Sequence, residues 1–195
     1  MTIYRNIKAY NLGLVYSSKL VNVVERTTIE ISNEDRRTLQ NLLQSNYVKE
    51  HLMAYEARLK KLVKLSRDNK IEPVFITAPV LYGYGIDDVT KVNLAKLNVH
   101  SSYIIDGEHA WKWLEMVNDI TRKVASNEGL LFIELARKLP KLDRYYIDLI
   151  HYSNEGNKVV ADIIFYTLCP YLAEHYNEYV MHDCESTIQD YSLKE

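Results

Sequence analysis

Apolar residues recur at intervals of three and four in three stretches of the chain, and this pattern predicts three long amphipathic helices. The helices are expected over about residues 47–69, 108–127 and 154–176. A shorter helix is predicted to run through Leu43, and Ser32 or Asn33 is expected to cap its first turn. A looser apolar pattern over residues 4–24 also favours helix, so the chain is expected to be rich in helix.

Two short apolar runs lie between the long helices, at residues 74–77 and 130–135. Runs without polar alternation are typical of strands that are covered on both faces of a parallel sheet. The order helix, strand, helix, strand, helix then predicts a parallel α/β domain with right-handed crossovers. Residues 80–106 show turn signals without a clear period, which predicts a long loop. Residues 27–31 are expected to form a short strand or extended loop.

The length of 195 residues predicts a single domain over residues 1–195, with a polar tail over 177–195. A net charge of −2 gives no basic surface, so no nucleic acid partner is expected. No apolar stretch has the length of a membrane span and no signal peptide follows Met1, so the chain is expected to be soluble; this leaves the compartment open. Two cysteines are too few for a disulfide framework, and Cys169 is predicted to be a small core residue.

The segment just before the last predicted helix contains an Asp three residues ahead of a His, Asp148 and His151. A carboxylate so placed can accept a hydrogen bond from one imidazole nitrogen and leave the other free to take a proton. The alternative is a structural loop histidine that is hydrogen-bonded to a nearby carboxylate. The same spacing occurs at Asp106 and His109, where Asp106 is predicted to cap the following helix.

Three segments, residues 71–83, 131–136 and 148–161, resemble the C-terminal half of an SGNH (GDSL-type) hydrolase. The third is similar to the final block of that family, D-x-x-H followed by Gly and a helix, and the likeness covers roughly residues 47–173. The resemblance implies a flavodoxin-like, three-layer α/β/α fold with a parallel sheet. It also implies that His151 is the catalytic base, that Asp148 orients it, and that a small-molecule or glycan ester is cleaved without metal or cofactor.

The chain departs from that family in its N-terminal part. The nucleophilic Ser turn and the oxyanion Gly and Asn blocks are not found, and Ser17 and Ser18 lie in a predicted helix without a strand before them. The chain is therefore expected to lack the first strands of the fold. Its exposed sheet edge would then be covered by residues 1–46, by a missing N-terminal half or by a second copy. A catalytically inactive binding or structural module is the alternative to a hydrolase.

Three further residues carry weaker expectations. Thr77, at a strand end, either contacts substrate or packs locally; Trp113 is expected on the surface, beside a groove; Gly156 is expected to allow close approach of the last helix to the sheet. The spacing of the polar residues at 175, 182, 183 and 184 matches no common metal-ligand pattern.

Overall fold

The computed structural model describes residues 27–99 and 104–176, together with Glu178 and Cys184. Within these residues the chain forms five α-helices and two β-strands. In chain order they are α1 (Asn33–Gln44), α2 (Asn46–Asp68), β1 (Phe75–Ile76), α3 (Gly107–Glu128), β2 (Phe132–Ile133), α4 (Leu135–Lys138) and α5 (Asn154–His175). The four helices predicted within this part of the chain are confirmed, and α4 is an additional short helix. The helix expected over residues 4–24 lies outside the described residues.

Local sequence signals set the helix ends. The Ser32 hydroxyl caps α1 by accepting the N–H of Asp35 at 3.0 Å. The Asp106 carboxylate caps α3 in the same way, and Gly129 ends that helix in the left-handed conformation with φ of 62°. No helix within the described residues combines the length and the apolar character needed to cross a bilayer.

The two strands are parallel, with Phe75 beside Phe132 and Ile76 beside Ile133. They are shorter than the apolar runs predicted. The amide side chain of Asn118 accepts the N–H of Ala78 at 3.0 Å and donates to its carbonyl at 3.1 Å. Both backbone groups of Ala78 therefore bond to a side chain rather than to another strand.

Helices cover the two strands unequally. On one face, Phe75 packs in a cluster with Val63 of α2 and Val124 of α3. On the other face, Ile133 of β2 packs against α5 in a second core cluster, whereas Ile76 of β1 is 41% exposed. The prediction that both strands are covered on both faces is therefore wrong for β1.

The outer edge of β1 pairs with no strand in the described part of the chain. The structure thus establishes a helix-rich α/β chain with a small parallel sheet of two strands. The complete three-layer sandwich stays a prediction.

The long loop that follows β1 is held by a buried carboxylate. Asp87 accepts the backbone N–H and the hydroxyl of Thr90, each at 2.6 Å, and the N–H of Asp143 at 2.7 Å. Burial acts to raise the pKa of Asp87, but these hydrogen bonds outweigh it and lower the pKa. Over residues 80–99 and 104–106, the described part of the predicted loop, no α-helix or β-strand forms, and Leu94 and Leu97 anchor the loop in the core. Thr28 forms an isolated antiparallel bridge with Leu97, in line with the extended segment predicted there.

The expectation for the cysteines needs correction. Cys169 is buried, as predicted, but it forms a disulfide with Cys184 across a Cα–Cα distance of 5.7 Å. The bond ties one residue of the polar tail to α5. A count of cysteines could not show this pairing, because it depends on the path of the chain after the helix.

Candidate functional site

The side chains of Asp148 and His151 are in direct contact. Asp148 Oδ2 lies 2.6 Å from His151 Nδ1, while Oδ1 accepts the backbone N–H groups of Ile150 and His151 at 2.8 and 2.7 Å. One carboxylate therefore closes its own turn and also fixes the imidazole. The sequence spacing predicted this pairing, and the two side chains do not point apart.

The loop that carries the pair folds back on itself like a small hairpin. The N–H of Ile147 donates to the carbonyl of His151 at 2.8 Å, and the N–H of Ser153 donates to the carbonyl of Tyr145 at 2.9 Å. The His151 side chain lies at the tip and is 69% exposed. The imidazole is therefore open to solvent rather than sealed in the core.

Helix α5 begins just after this loop, and its position depends on Gly156. A Cβ atom at Gly156 would lie 2.0 Å from the carbonyl oxygen of Tyr145. The predicted close approach at Gly156 is thus present, but its partner is the backbone of Tyr145 and not the sheet. The start of α5 and the loop of the pair form one packed unit.

The loop lies beside the chain that leaves β1. The N–H of Leu81 donates to the carbonyl of Leu149 at 3.0 Å. Parallel α/β sheets bind ligands beyond the carboxyl ends of their strands, and this contact brings the pair close to that end of β1.

The Thr77 side chain, in contrast, is buried; its hydroxyl donates to Glu134 at 2.7 Å and accepts the N–H of Ala136 at 2.9 Å. Thr77 therefore has the packing role, and it does not line the cleft of His151.

The electrostatics of the pair favour an ionised carboxylate. Burial acts to raise the pKa of Asp148, but the N–H groups of His151 and Ile150 and the imidazole outweigh it and lower the pKa. An ionised carboxylate accepts hydrogen bonds, so Nδ1 of His151 carries the proton in the neutral ring. Nε2 then presents its lone pair, and the ring's hydrogen bond within the described residues is made by Nδ1 alone.

A shallow cleft of about 420 Å³ surrounds the pair. None of the described residues that line it is a Ser, Thr or Cys; they are Ile147, Asp148, Ile150, His151, Tyr152 and Asn157. The nearby Ser153 hydroxyl donates to the carbonyl of Arg144 and accepts the N–H of Gly156, so it caps α5. Ser17 and Ser18 lie outside the described residues. The structure thus brings the side chains of Asp148 and His151 together in a cleft whose described lining holds no hydroxyl or thiol of Ser, Thr or Cys.

The second Asp–His pair has the same spacing and the opposite environment. Asp106 caps α3, as predicted, and its Oδ1 lies 2.7 Å from His109 Nδ1. His109 is only 1% exposed, and its Nε2 atom has no hydrogen-bond partner. The sequence did not predict that His109 is buried. The capping motif predicts the contact of His109 with Asp106, but it does not show which residues pack over the imidazole ring.

No cluster of metal-ligating side chains occurs within the described part of the chain. Of the polar residues near the C-terminus, Cys184 is in the disulfide, and His182 and Asp183 lie outside that part.

No family model, no curated protein and no solved structure matches the chain. The functional inference therefore depends on residue chemistry and geometry.

Proposed function

We propose that this chain carries the acid–base part of an SGNH (GDSL-type) hydrolase site that acts on ester bonds. The observation that carries the proposal is the contact of 2.6 Å between Asp148 and His151 at the mouth of an open cleft. Asp148 holds the ring and stabilises the imidazolium that forms, while His151 Nε2 is the general base.

The proposed reaction is acyl transfer through a serine. The serine oxygen attacks the ester carbonyl as its proton moves to His151 Nε2, and the tetrahedral intermediate expels the alcohol, which takes that proton. Water then repeats the sequence and releases the acid. The serine and the oxyanion donors would come from sequence outside the described residues or from a preceding segment. A small-molecule or glycan ester is the proposed substrate class.

The proposal includes a three-layer α/β/α fold in which β1 and β2 are two of several strands of a parallel sheet. The exposed side chain of Ile76 and the unpaired outer edge of β1 within the described residues support it. A missing N-terminal half or a second copy of the chain would occupy that edge.

A catalytically inactive binding module is the alternative. It is favoured by one specific observation: the described residues that line the cleft include no Ser, Thr or Cys to serve as the nucleophile of an acyl-enzyme mechanism. Such a module would retain the Asp–His pair as a hydrogen-bonding surface.

Hydrolysis of p-nitrophenyl acetate by the full chain separates the two functions. If His151 is a general base, His151→Ala lowers the rate by about 100-fold or more, and Asp148→Asn lowers it through loss of the correct tautomer. His51→Ala is the matched control, because His51 is an exposed imidazole on α2 that hydrogen-bonds only locally, to the carbonyl of Tyr47. It should leave the rate unchanged.

Equal rates for the wild type, His151→Ala and His51→Ala would exclude the hydrolase for this chain. A fluorophosphonate label provides a second readout, because it modifies an activated serine. Labelling that is lost in His151→Ala would support the serine mechanism, whereas a failure to label the wild type would show that this chain supplies no activated serine of its own.

A further inference from the structure

The cleft of Asp148 and His151 presents apolar surface next to the imidazole. Ile150 precedes His151, lines the cleft and is 51% exposed. Tyr152 follows His151 and forms another part of the wall. Its ring packs edge-on against the Tyr146 ring with 5.8 Å between centroids, and the two residues form an antiparallel bridge. The apolar surface beside His151 is therefore carried by a loop that is held in place.

The proposed reaction determines which part of an ester lies against this surface. His151 gives the proton that it has taken from the serine to the oxygen of the leaving alcohol. That oxygen must therefore come within hydrogen-bond distance of Nε2, and the carbon atoms attached to it lie beside the imidazole. The described lining is thus the subsite of the alcohol and not of the acyl group.

The lining also limits the chemistry of that alcohol. Apart from the pair itself, Tyr152 and Asn157 are the polar side chains of the described lining, and the other two residues are isoleucines. An alkyl chain gains free energy by covering such a surface, whereas a sugar would place hydroxyl groups against it. The described lining holds the Asp148 carboxylate and no Lys or Arg, so a negatively charged alcohol would be repelled.

We propose that the cleft of His151 binds the leaving alcohol of the ester, and that this alcohol is neutral and carries an alkyl chain. Its hydroxyl group donates to His151 Nε2, and its chain lies across Ile150 and the ring of Tyr152. The identity of the ligand rests on the proposed function, whose substrate class is here narrowed to an alkyl ester rather than a glycan ester.

The free alcohol should bind whether or not this chain supplies a serine, so binding to the full chain can be followed by NMR titration of the Tyr152 ring signals. The probes are 1-hexanol, ethanol and the anion hexanoate. A fully buried methylene strengthens binding about fourfold, and one that is covered on a single side in an open cleft about twofold. With four more methylenes, 1-hexanol should bind about tenfold more tightly than ethanol. Hexanoate should bind more weakly than 1-hexanol.

Methyl pentyl ether tests the hydrogen bond to Nε2, because it is an isomer of 1-hexanol that has no donor. The wild type should bind this ether about threefold more weakly than 1-hexanol, the factor expected for one partly exposed hydrogen bond. In His151→Ala the difference between the two isomers should disappear. A difference that persists in His151→Ala would contradict the assigned contact.

Ile150→Asn tests the apolar contact, because it replaces an exposed apolar side chain with a polar one. It should remove most of the preference for 1-hexanol over ethanol. Ile71→Asn is the matched control, since Ile71 is a 59% exposed isoleucine ahead of β1 and outside the described lining. It should leave the preference unchanged.

Trp113 reports on binding elsewhere. As expected from the sequence it lies beside a groove, a separate apolar pocket between α1, α2 and α3, where it is 37% exposed. 1-Hexanol bound there would shift the Trp113 indole signal and not the Tyr152 ring. Shifts confined to Trp113, equal binding of 1-hexanol and ethanol, tighter binding of hexanoate, or an unchanged preference in Ile150→Asn would each overturn the proposal. Absence of any shift up to the solubility limit of 1-hexanol would overturn it as well.

Hydrolysis of hexyl acetate and ethyl acetate separates this proposal from the hydrolase itself. The two alcohols have nearly the same acidity, so a value of kcat/KM about tenfold higher for hexyl acetate would report contact with the chain. Hydrolysis that depends on His151 but is equal for both esters would retain the hydrolase and overturn the alkyl subsite. Binding of 1-hexanol as expected, with neither ester hydrolysed, would retain the subsite and exclude the hydrolase for this chain.

Discussion

Lys141 allows a quantitative test of how the segment after β1 is held. Its ammonium group donates to the carbonyls of Val80 and Tyr82 at 2.7 and 2.8 Å, and it lies 3.6 Å from the centroid of the Trp111 ring. Burial lowers the pKa of Lys141 to about 7, although Glu115 acts to raise it. The neutral amine still has two N–H groups, enough for both carbonyls.

The sign of the pH effect follows from proton binding. The ordinary pKa of Lys141, 10.5, applies to the unfolded chain, and the pKa of about 7 applies to the folded chain. Between these values the unfolded state binds more protons, so the free energy of unfolding rises with pH. The slope is about 1.4 kcal/mol per pH unit, which gives a gain of about 2 kcal/mol from about pH 7 to about pH 9.

Urea unfolding of the wild type and Lys141→Met over this range measures the effect. Methionine keeps the apolar stem and cannot titrate, so the gain of about 2 kcal/mol should appear in the wild type and be absent from the variant. Equal pH dependence of the two proteins would refute the reasoning. It would mean that the carbonyls and the indole face, which favour the charged amine, outweigh burial.

Three other substitutions test individual contacts that stabilise the fold. Gly156→Ala forces a Cβ against the carbonyl of Tyr145 and should lower the free energy of unfolding, measured in urea, by about 1–3 kcal/mol. Lys158 is exposed on the same helix, so the control Lys158→Ala should change that free energy by less than about 0.5 kcal/mol. Thr77→Val leaves the buried N–H of Ala136 without its acceptor and should cost about 1–3 kcal/mol in the same assay, while Thr77→Ser should retain most of the stability. Cys184→Ser removes a disulfide with a sequence separation of 15 and should cost up to about 3 kcal/mol; a reducing agent should cause the same loss in the wild type and none in the variant.

The helix ends could be predicted because their causes are local. The Ser32 and Asp106 caps and the left-handed Gly129 each depend on residues within one turn. The burial of the strands could not be predicted in the same way. Residues 74–76 are all apolar, yet Ile76 is exposed, because cover for a strand comes from elements distant in the sequence.

The two Asp–His pairs show the same difference between local contacts, which the sequence predicts, and burial, which it does not predict. Their spacing is identical, and in both the carboxylate accepts from Nδ1 and from the backbone N–H of the His. Local sequence therefore predicts the contact. It does not predict that His151 is exposed and His109 buried, because that difference comes from how α1 and α2 pack near α3.

The tautomer of His151 provides the most direct test of the central claim, that Asp148 orients the imidazole for proton transfer. Long-range ¹H–¹⁵N NMR spectra distinguish a protonated from an unprotonated ring nitrogen. In the neutral ring of the wild type we expect the proton on Nδ1 and a free lone pair on Nε2, and we expect Asp148→Ala to lose this preference. A wild-type ring with its proton on Nε2 would contradict the account.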